Sequence, residues 1–286
     1  MTLFALSLVL LSAVTHASWN LLAKRVSGGP PFNWLFDALT VGVWAPLTLA
    51  QVLVEPPQLG PTEVAFMLGS GVLHLGYFLL LGQGYRVGDL SLVYPLARGT
   101  GPVLSTLVAV ALLGEHPSGL ALAGAASIAV GVFVLTGDPR RLRGGRAGRS
   151  VVFALLTGVL IAAYTLWDKQ AVSAVHIAPL VYFWGLTTAR AILLTPVGVA
   201  RWPTVRREWA LHRREAFGIA VLSGLSYVLV LIALTVTPVS YVAPTREIGI
   251  LIGALMGSRW LAEGDASRRL AGAGAMVVGV VALAVG

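Results

Sequence analysis

Four charged residues stand out inside long apolar runs of this 286-residue sequence: Arg98, Arg190, Arg246 and Glu247. A charge held in hydrocarbon costs about 2.5–3.5 kcal/mol on insertion scales, so such residues face a wet cavity or a partner. Their sum is positive, which suits a cargo carrying a carboxylate, phosphate or phosphonate. The structural alternative is internal pairing, for example Glu247 with Arg98. Asp37 sits nearer the end of its run and is expected to reach water. Aromatic residues with a polar tip share these runs: Trp19, Tyr77, Tyr94, Tyr164, Trp167, Tyr227 and Tyr241. Such rings wall a planar group or a methylated amine, or serve as packing and interfacial belts. Asn20 adds an amide. His16 and Glu247 are the candidates for carrying a proton, although a lone buried histidine is more often a packing residue. Ser91-x-x-x-Pro95 recurs as Ser240-x-x-x-Pro244. Proline removes an amide donor and frees the serine carbonyl four residues earlier. A helix break there, beside Arg98 and Arg246, would turn backbone polarity toward a cargo; an ordinary kink is the alternative.

The elements that hold these residues follow from composition. Hydrophobic residues make up 57% of the chain and charged residues 11%. Soluble domains have roughly 45–50% and about 25%, so soluble packing and disorder are both disfavoured. With no cysteine, a disulfide scaffold, thiolate metal sites and iron–sulfur clusters are excluded. The net charge of +8 is confined to gaps between apolar runs, so the partner it implies is a bilayer and not nucleic acid. A membrane helix needs about 20 apolar residues. Ten such spans can be read, near 3–25, 32–54, 63–85, 90–113, 118–136, 151–171, 177–200, 216–236, 239–261 and 267–285. Two connections are long, about 137–150 and about 201–215. The first run has its Lys24-Arg25 pair after the apolar stretch, the reverse of a signal peptide. Sixteen of the twenty Lys and Arg residues fall in connections after odd-numbered spans, and one, Lys169, falls opposite. The positive-inside rule puts the odd connections in the cytoplasm and both termini outside.

The sequence also repeats itself. Shifted by 148 residues, Arg98 meets Arg246, Glu115 meets Glu263, and Ala123, Ser127 and Gly131 meet Ala271, Ala275 and Gly279. Gly249, Gly253 and Gly257 make another smooth helix face, of the kind that lets helices approach closely in lipid. A shift of 145 lays Lys24 on Lys169, and one of 150 lays Tyr77 on Tyr227. Aligning the prolines needs a shift of 149, which pairs Arg98 with Glu247 instead. Five spans per half force the second half to lie upside down. The expected fold is therefore an all-α membrane protein of ten transmembrane helices in two inverted five-helix repeats, residues 1–137 and 151–286, joined by a basic cytoplasmic linker at 138–150. Inverted repeats of this kind are frequent among secondary transporters.

The stretch from His16 through Ser18-Trp19-Asn20 to Lys24-Arg25 resembles the first span of EamA-type proteins in the drug/metabolite transporter superfamily. Arg86-Val87-Gly88-Asp89 leading to Tyr94-Pro95-Leu96-Ala97-Arg98 resembles their third-to-fourth junction. The endings at Glu115 and Glu263 resemble the acidic marker after the fourth span of each repeat. The second half departs from the pattern, because the Arg-x-Gly-Asp junction has no clear counterpart there. The resemblance implies a ten-helix carrier of small metabolites, often an exporter of amino acids or related compounds. The reading is an alternating-access carrier whose cargo binds between the repeats near the midplane. Arg98 and Arg246 would attract its anionic group, with Arg190 contributing. Asn20, Tyr77, Tyr94, Trp167 and Tyr227 would shape the wall. Two other classes stay open: an intramembrane enzyme acting on a lipid head group through Glu247 or His74, and a non-transporting sensor subunit. Enzyme motifs and metal-ligand spacings are absent from the sequence, so no cofactor or metal is expected. The arginine-rich, lysine-poor usage points to a bacterial cytoplasmic membrane. The partners are a small metabolite and the bilayer.

Overall fold

The computed structural model describes residues 1–23, 25–26, 29–87, 90–136, 147–256 and 266–286. Lys24, Asp89, Gly257, Glu263 and residues 137–146 lie outside the described residues, and with them most of the expected linker. The rest is helical: α1 (Leu3–Ala23), α2 (Pro30–Val54), α3 (Pro61–Val87), α4 (Leu90–Leu112), α5 (Gly119–Thr136), α6 (Ala147–Ser173), α7 (Pro179–Ala200), α8 (Trp202–Val236), α9 (Val239–Arg246), α10 (Ile248–Met256) and α11 (Ala266–Val285). Among the described residues, six helices are long and apolar enough to cross a membrane by length and composition (α1, α2, α3, α6, α7 and α8). Apolar stretches at Leu96–Leu112, Gly119–Val134 and Leu270–Val285 are shorter. Leu49, Leu107, Ile192 and Val278 are among the large apolar side chains exposed on the outside, where only lipid makes them comfortable.

Proline starts several helices at the position where its missing amide costs nothing: Pro30 and Pro31 in α2, Pro179 in α7, Pro203 in α8. After α4, Gly114 takes φ +65°, a left-handed turn that glycine adopts without strain. The amide of Glu115 then bonds back to the Ala109 carbonyl at 3.2 Å. This turn aims the Glu115 carboxylate at the start of α9, where it accepts from the amides of Val239 (2.6 Å) and Ser240 (2.9 Å). Two of the orphan amides at that helix start are thereby satisfied.

Three sequence expectations change. The stretch 201–215 is not an open connection: residues from Trp202 are helical, and the helix continues into α8 across a kink at His212 (φ −128°, ψ 25°). The ninth span is two helices, and its break falls at Glu247, three residues beyond Pro244. Helix α4 runs unbroken through Ser91 and Pro95, so the two Ser-x-x-x-Pro segments differ in shape. Proline at the sixth residue of the eight-residue α9 leaves too few turns beyond it to hold that helix together, whereas α4 extends four turns past Pro95.

Small residues set the packing of α5 on α11. A Cβ built on Gly124 would stand 2.7 Å from the Gly279 carbonyl, and one on Gly131 would stand 2.8 Å from the Gly272 carbonyl. Between them Ser127 Oγ donates to the Ala275 carbonyl at 2.8 Å. Contacts that run forward along α5 and backward along α11 make the two helices antiparallel. At the end of the bundle holding the chain termini, the Met1 amine lies 3.4 Å from the Ala284 carbonyl.

Candidate functional site

Eight helices, α1–α4 and α6–α9, surround a cavity of about 310 Å³. Its wall carries three guanidiniums (Arg98, Arg190, Arg246), two imidazoles (His16, His74) and a set of rings led by Trp19, Phe36, Tyr77, Phe78, Tyr94, Tyr164 and Tyr227. Asn20, Asn33, Thr40, Ser223 and Ser226 supply neutral polar groups. No Asp or Glu is in the described wall.

The lining residues run from mid-helix to one end of the bundle. In α1 they span His16 to Ala23, about 10 Å of helix, and in α3 they span His74 to Tyr85. That end carries Arg25 and Arg86. The other end is closed by side chains. Ser12 and Ser226 each donate to the other's backbone carbonyl, at 2.8 and 3.0 Å, tying α1 to α8. Lys169 Nζ donates to the Leu234 (2.7 Å) and Thr237 (3.1 Å) carbonyls at the end of α8. Each such contact pairs a polar group that lipid would leave unsatisfied.

The three arginines have different partners. Arg190 on α7 grips Asp37 on α2 in a forked ion pair, with Nε to Oδ2 at 2.7 Å and Nη2 on Oδ1. Asp37 is fully buried, so the expectation that it reaches water is corrected: its carboxylate is spent neutralising Arg190. The Arg190 guanidinium also lies over the rings of Phe36 and Phe78, 5.7 and 5.2 Å from their centroids. Arg98 on α4 pairs with Glu247, Nε to Oε2 at 3.3 Å, and its Nη2 lies 3.3 Å from His16 Nε2. Neither Arg98 Nε nor Glu247 Oε2 has a hydrogen-bond partner, so this pair is electrostatic contact without good bonding geometry. Arg246, at the last residue of α9, lies 5.7 Å from the Tyr227 ring centroid. Among the described residues no carboxylate is within ion-pair distance of it. Among the described residues, Arg246 is therefore the guanidinium in the wall that has no carboxylate partner.

Behind the wall, Asp168 on α6 collects hydroxyl donors. Ser70 Oγ and Tyr182 OH each donate to Oδ1 at 2.6 Å, and Tyr227 OH donates to Oδ2. The imidazole of His74 stacks on Tyr164 at 4.1 Å and meets Tyr227 edge-on at 5.3 Å. Among the described residues, no cluster of three His, Asp or Glu side chains is arranged to hold a metal.

Residues 3–137 match the sequence profile of the EamA-like transporter family. The first half of the chain is thus similar to EamA-like transporters. A solved crystal structure of a protein is similar over 98% of this chain and 96% of its own, with a TM-score of 0.78 at 15% identity. At that identity the likeness is one of fold. No curated protein matches the chain by sequence. The family matched by this half is one of membrane transporters.

Of the residues singled out in the sequence, His16, Trp19, Asn20, Tyr77, Tyr94, Arg98, Tyr164, Arg190, Tyr227 and Arg246 all line the cavity. Three lie elsewhere. Trp167 is one helical turn from Tyr164 but faces outward, its indole donating to the Phe66 carbonyl at 2.8 Å and lying tilted against the Phe66 ring. Tyr241 sits at the closed end, its hydroxyl 3.4 Å from both the Ser118 amide and the Gly286 carbonyl. Glu247 is turned to the far side of Arg98, into a smaller apolar crevice of about 170 Å³ between α4, α5 and α9. Ser240 and Pro244 are buried in α9. Sequence reasoning missed Phe36, Phe78, Phe183, Asn33 and Thr40, which line the cavity, and Asp168, whose three donors come from α3, α7 and α8. The Asp168-Lys169 pair at a span end reads in sequence as an interfacial pair, so nothing local signalled a buried acid.

Proposed function

We propose that this protein is an alternating-access carrier of a small organic anion, with Arg246 as the group that holds the anionic end. What carries this reading is a guanidinium with no carboxylate partner among the described residues, in an aromatic cavity that has no carboxylate in its described wall. Arg98 and Arg190 lie in the same wall, but their charges are met by Glu247 and Asp37, so they shape and polarise the site more than they anchor cargo. Trp19, Tyr77, Tyr94, Tyr164 and Tyr227 offer ring faces and hydroxyls to the body of the cargo, and Asn20 offers its amide. Amino acids remain within this class, their ammonium then resting on ring faces and not on a carboxylate.

The architecture we infer is two inverted five-helix repeats crossing the membrane ten times. Its support is a pairing pattern that survives exchange of the halves: α1 packs on α8 as α6 packs on α3, and α2 on α8 as α7 on α3. Repeat mates α5 and α11 meet antiparallel at Ser127 and Ala275, positions 148 apart. The cavity reaches the arginine-rich end, which the positive-inside rule assigns to the cytoplasm, with both termini on the far side. The present conformation is then the cytoplasm-facing one, the loading state of an exporter or the release state of an importer. Export of a metabolite across a bacterial cytoplasmic membrane is the favoured direction, resting on the family resemblance.

The test is flux into or out of proteoliposomes over a panel of organic acids and amino acids. Arg246→Gln should lower flux of the transported compound at least tenfold, while Arg246→Lys retains part of it. Wild-type flux in Arg246→Gln refutes the anchor.

A further inference from the structure

The proton candidates suggested by the sequence are already engaged: His16 Nε2 faces the Arg98 guanidinium and Glu247 faces Arg98 Nε. A different group is open. His74 Nδ1 lies 2.9 Å from the Ser70 carbonyl, a pure acceptor, so Nδ1 carries the hydrogen of the neutral ring. Nε2 is then a bare lone pair. It is buried, has no hydrogen-bond partner, and points at Asp168 Oδ2 from 4.0 Å. A carboxylate has about four acceptor sites. Asp168 has three filled, by Ser70, Tyr182 and Tyr227. Two acceptors thus face each other across a gap with no hydrogen between them, in a low-dielectric interior where an unsatisfied polar atom is costly. One proton on Nε2 turns this acceptor–acceptor gap into an ion pair at 4.0 Å.

Charge bookkeeping links this gap to Arg246. The described buried centre holds three guanidiniums, Arg98, Arg190 and Arg246, and three carboxylates, Asp37, Asp168 and Glu247. With neutral histidines they sum to zero. An anion arriving on Arg246 leaves the centre one negative charge in excess, and a proton on His74 restores neutrality. Tyr227 joins the two places: its hydroxyl donates to Asp168, and its ring touches both the His74 edge and the Arg246 guanidinium. The other groups facing the pair are Tyr164 from α6, Tyr182 and Arg190 from α7, and, beyond Tyr164, Arg98 and Glu247 from α4 and the α9–α10 break.

We infer that His74 and Asp168 form a proton-binding site whose occupancy is coupled to an anion on Arg246, so that proton and anionic cargo load together. The inference rests on the anionic-cargo reading above, and its experiment uses no cargo, so the two can fail separately. The proton moves from water to Nε2 with no bond to carbon made or broken. Linkage makes the coupling reciprocal: whatever favours the proton favours the anion by the same factor.

The test is the titration of ring-labelled histidine by NMR on the full-length protein in lipid nanodiscs, with His74 assigned by its loss in His74→Gln. Distances of 5.7 and 5.3 Å to the shared Tyr227 ring put the Arg246 guanidinium within about 11 Å of the imidazole. At an effective dielectric of about 20, a unit charge at that range shifts a proton midpoint by about one pH unit. Expected is a one-proton titration of His74 whose midpoint rises by about one unit in Arg246→Gln and falls in Asp168→Asn. Arg206→Gln, on the exposed surface, should leave it unmoved. A His74 ring that does not titrate between pH 3 and 9, or a midpoint identical in wild type and Arg246→Gln, overturns the proposal.

Discussion

Asp37→Asn isolates the energetics of the cavity wall. The substitution keeps the shape of the side chain and removes the charge that neutralises Arg190. Both partners are buried, Asp37 at 0% and Arg190 at 8% exposure, and Nε and Nη2 each engage their own carboxylate oxygen. Removing one member of such a pair costs about 3–5 kcal/mol, because the other charge stays buried without compensation. The flanking rings of Phe36 and Phe78 return about 1–2 kcal/mol at most, too little to offset that loss. Replacing both members, as in Asp37→Leu with Arg190→Met, removes the orphaned charge and should lie near wild type. The assay is thermal unfolding in detergent, followed by the fluorescence of the eight tryptophans, on wild type, Asp37→Leu, Arg190→Met and their double variant, with Asp37→Asn measured beside them. The expected result is a large loss in each single variant and recovery in the double, a coupling of about 3 kcal/mol or more. Singles that melt with wild type, or a double variant whose loss equals the sum of the singles, would show that the pair is not a buried, mutually dependent unit.

Other expectations follow from the same coordinates. Glu115→Ala uncaps the start of α9 and should cost about 1–2 kcal/mol in the same melt; no change would mean that the two amide bonds are not formed. Gly279→Ala puts a methyl 2.6 Å from the Gly124 carbonyl, so an overpacking loss of about 1–3 kcal/mol is expected, whereas Gly274→Ala, with open space around it, should be silent. Trp167→Phe, outside the cavity, should leave the flux of a transported compound within twofold of wild type, and a tenfold loss would return Trp167 to the site.

The sequence displays its spans plainly, because lipid demands runs of apolar residues and most boundaries of such runs are marked by proline, glycine or arginine. The smooth faces of α5 and α11 were legible for the same reason: a residue without a side chain is visible in a list of letters. The partners of buried charges were not. Arg98 and Arg190 are one-dimensional signals, but Asp37 and Arg190 are 153 residues apart, and their meeting depends on how α2 lies on α7. Which side of a helix faces inward was also hidden. Tyr164 and Trp167 lie a turn apart with similar chemistry, yet one stacks on His74 and the other leans on Phe66 at the periphery. The break after α9 was signalled by Pro244 but displaced to Glu247, since proline weakens the turn around it without naming the residue at which the chain bends.

The most direct measurement compares one transported acid with its own carboxamide, in wild type and in Arg246→Gln, by competition against flux in proteoliposomes. Acid and amide share size and ring contacts and differ in the charge that Arg246 would meet. The account predicts strong preference for the acid in wild type, at least tenfold, and near-equal competition in Arg246→Gln. A preference that survives loss of the guanidinium, or an amide that competes equally with the acid in wild type, would contradict it.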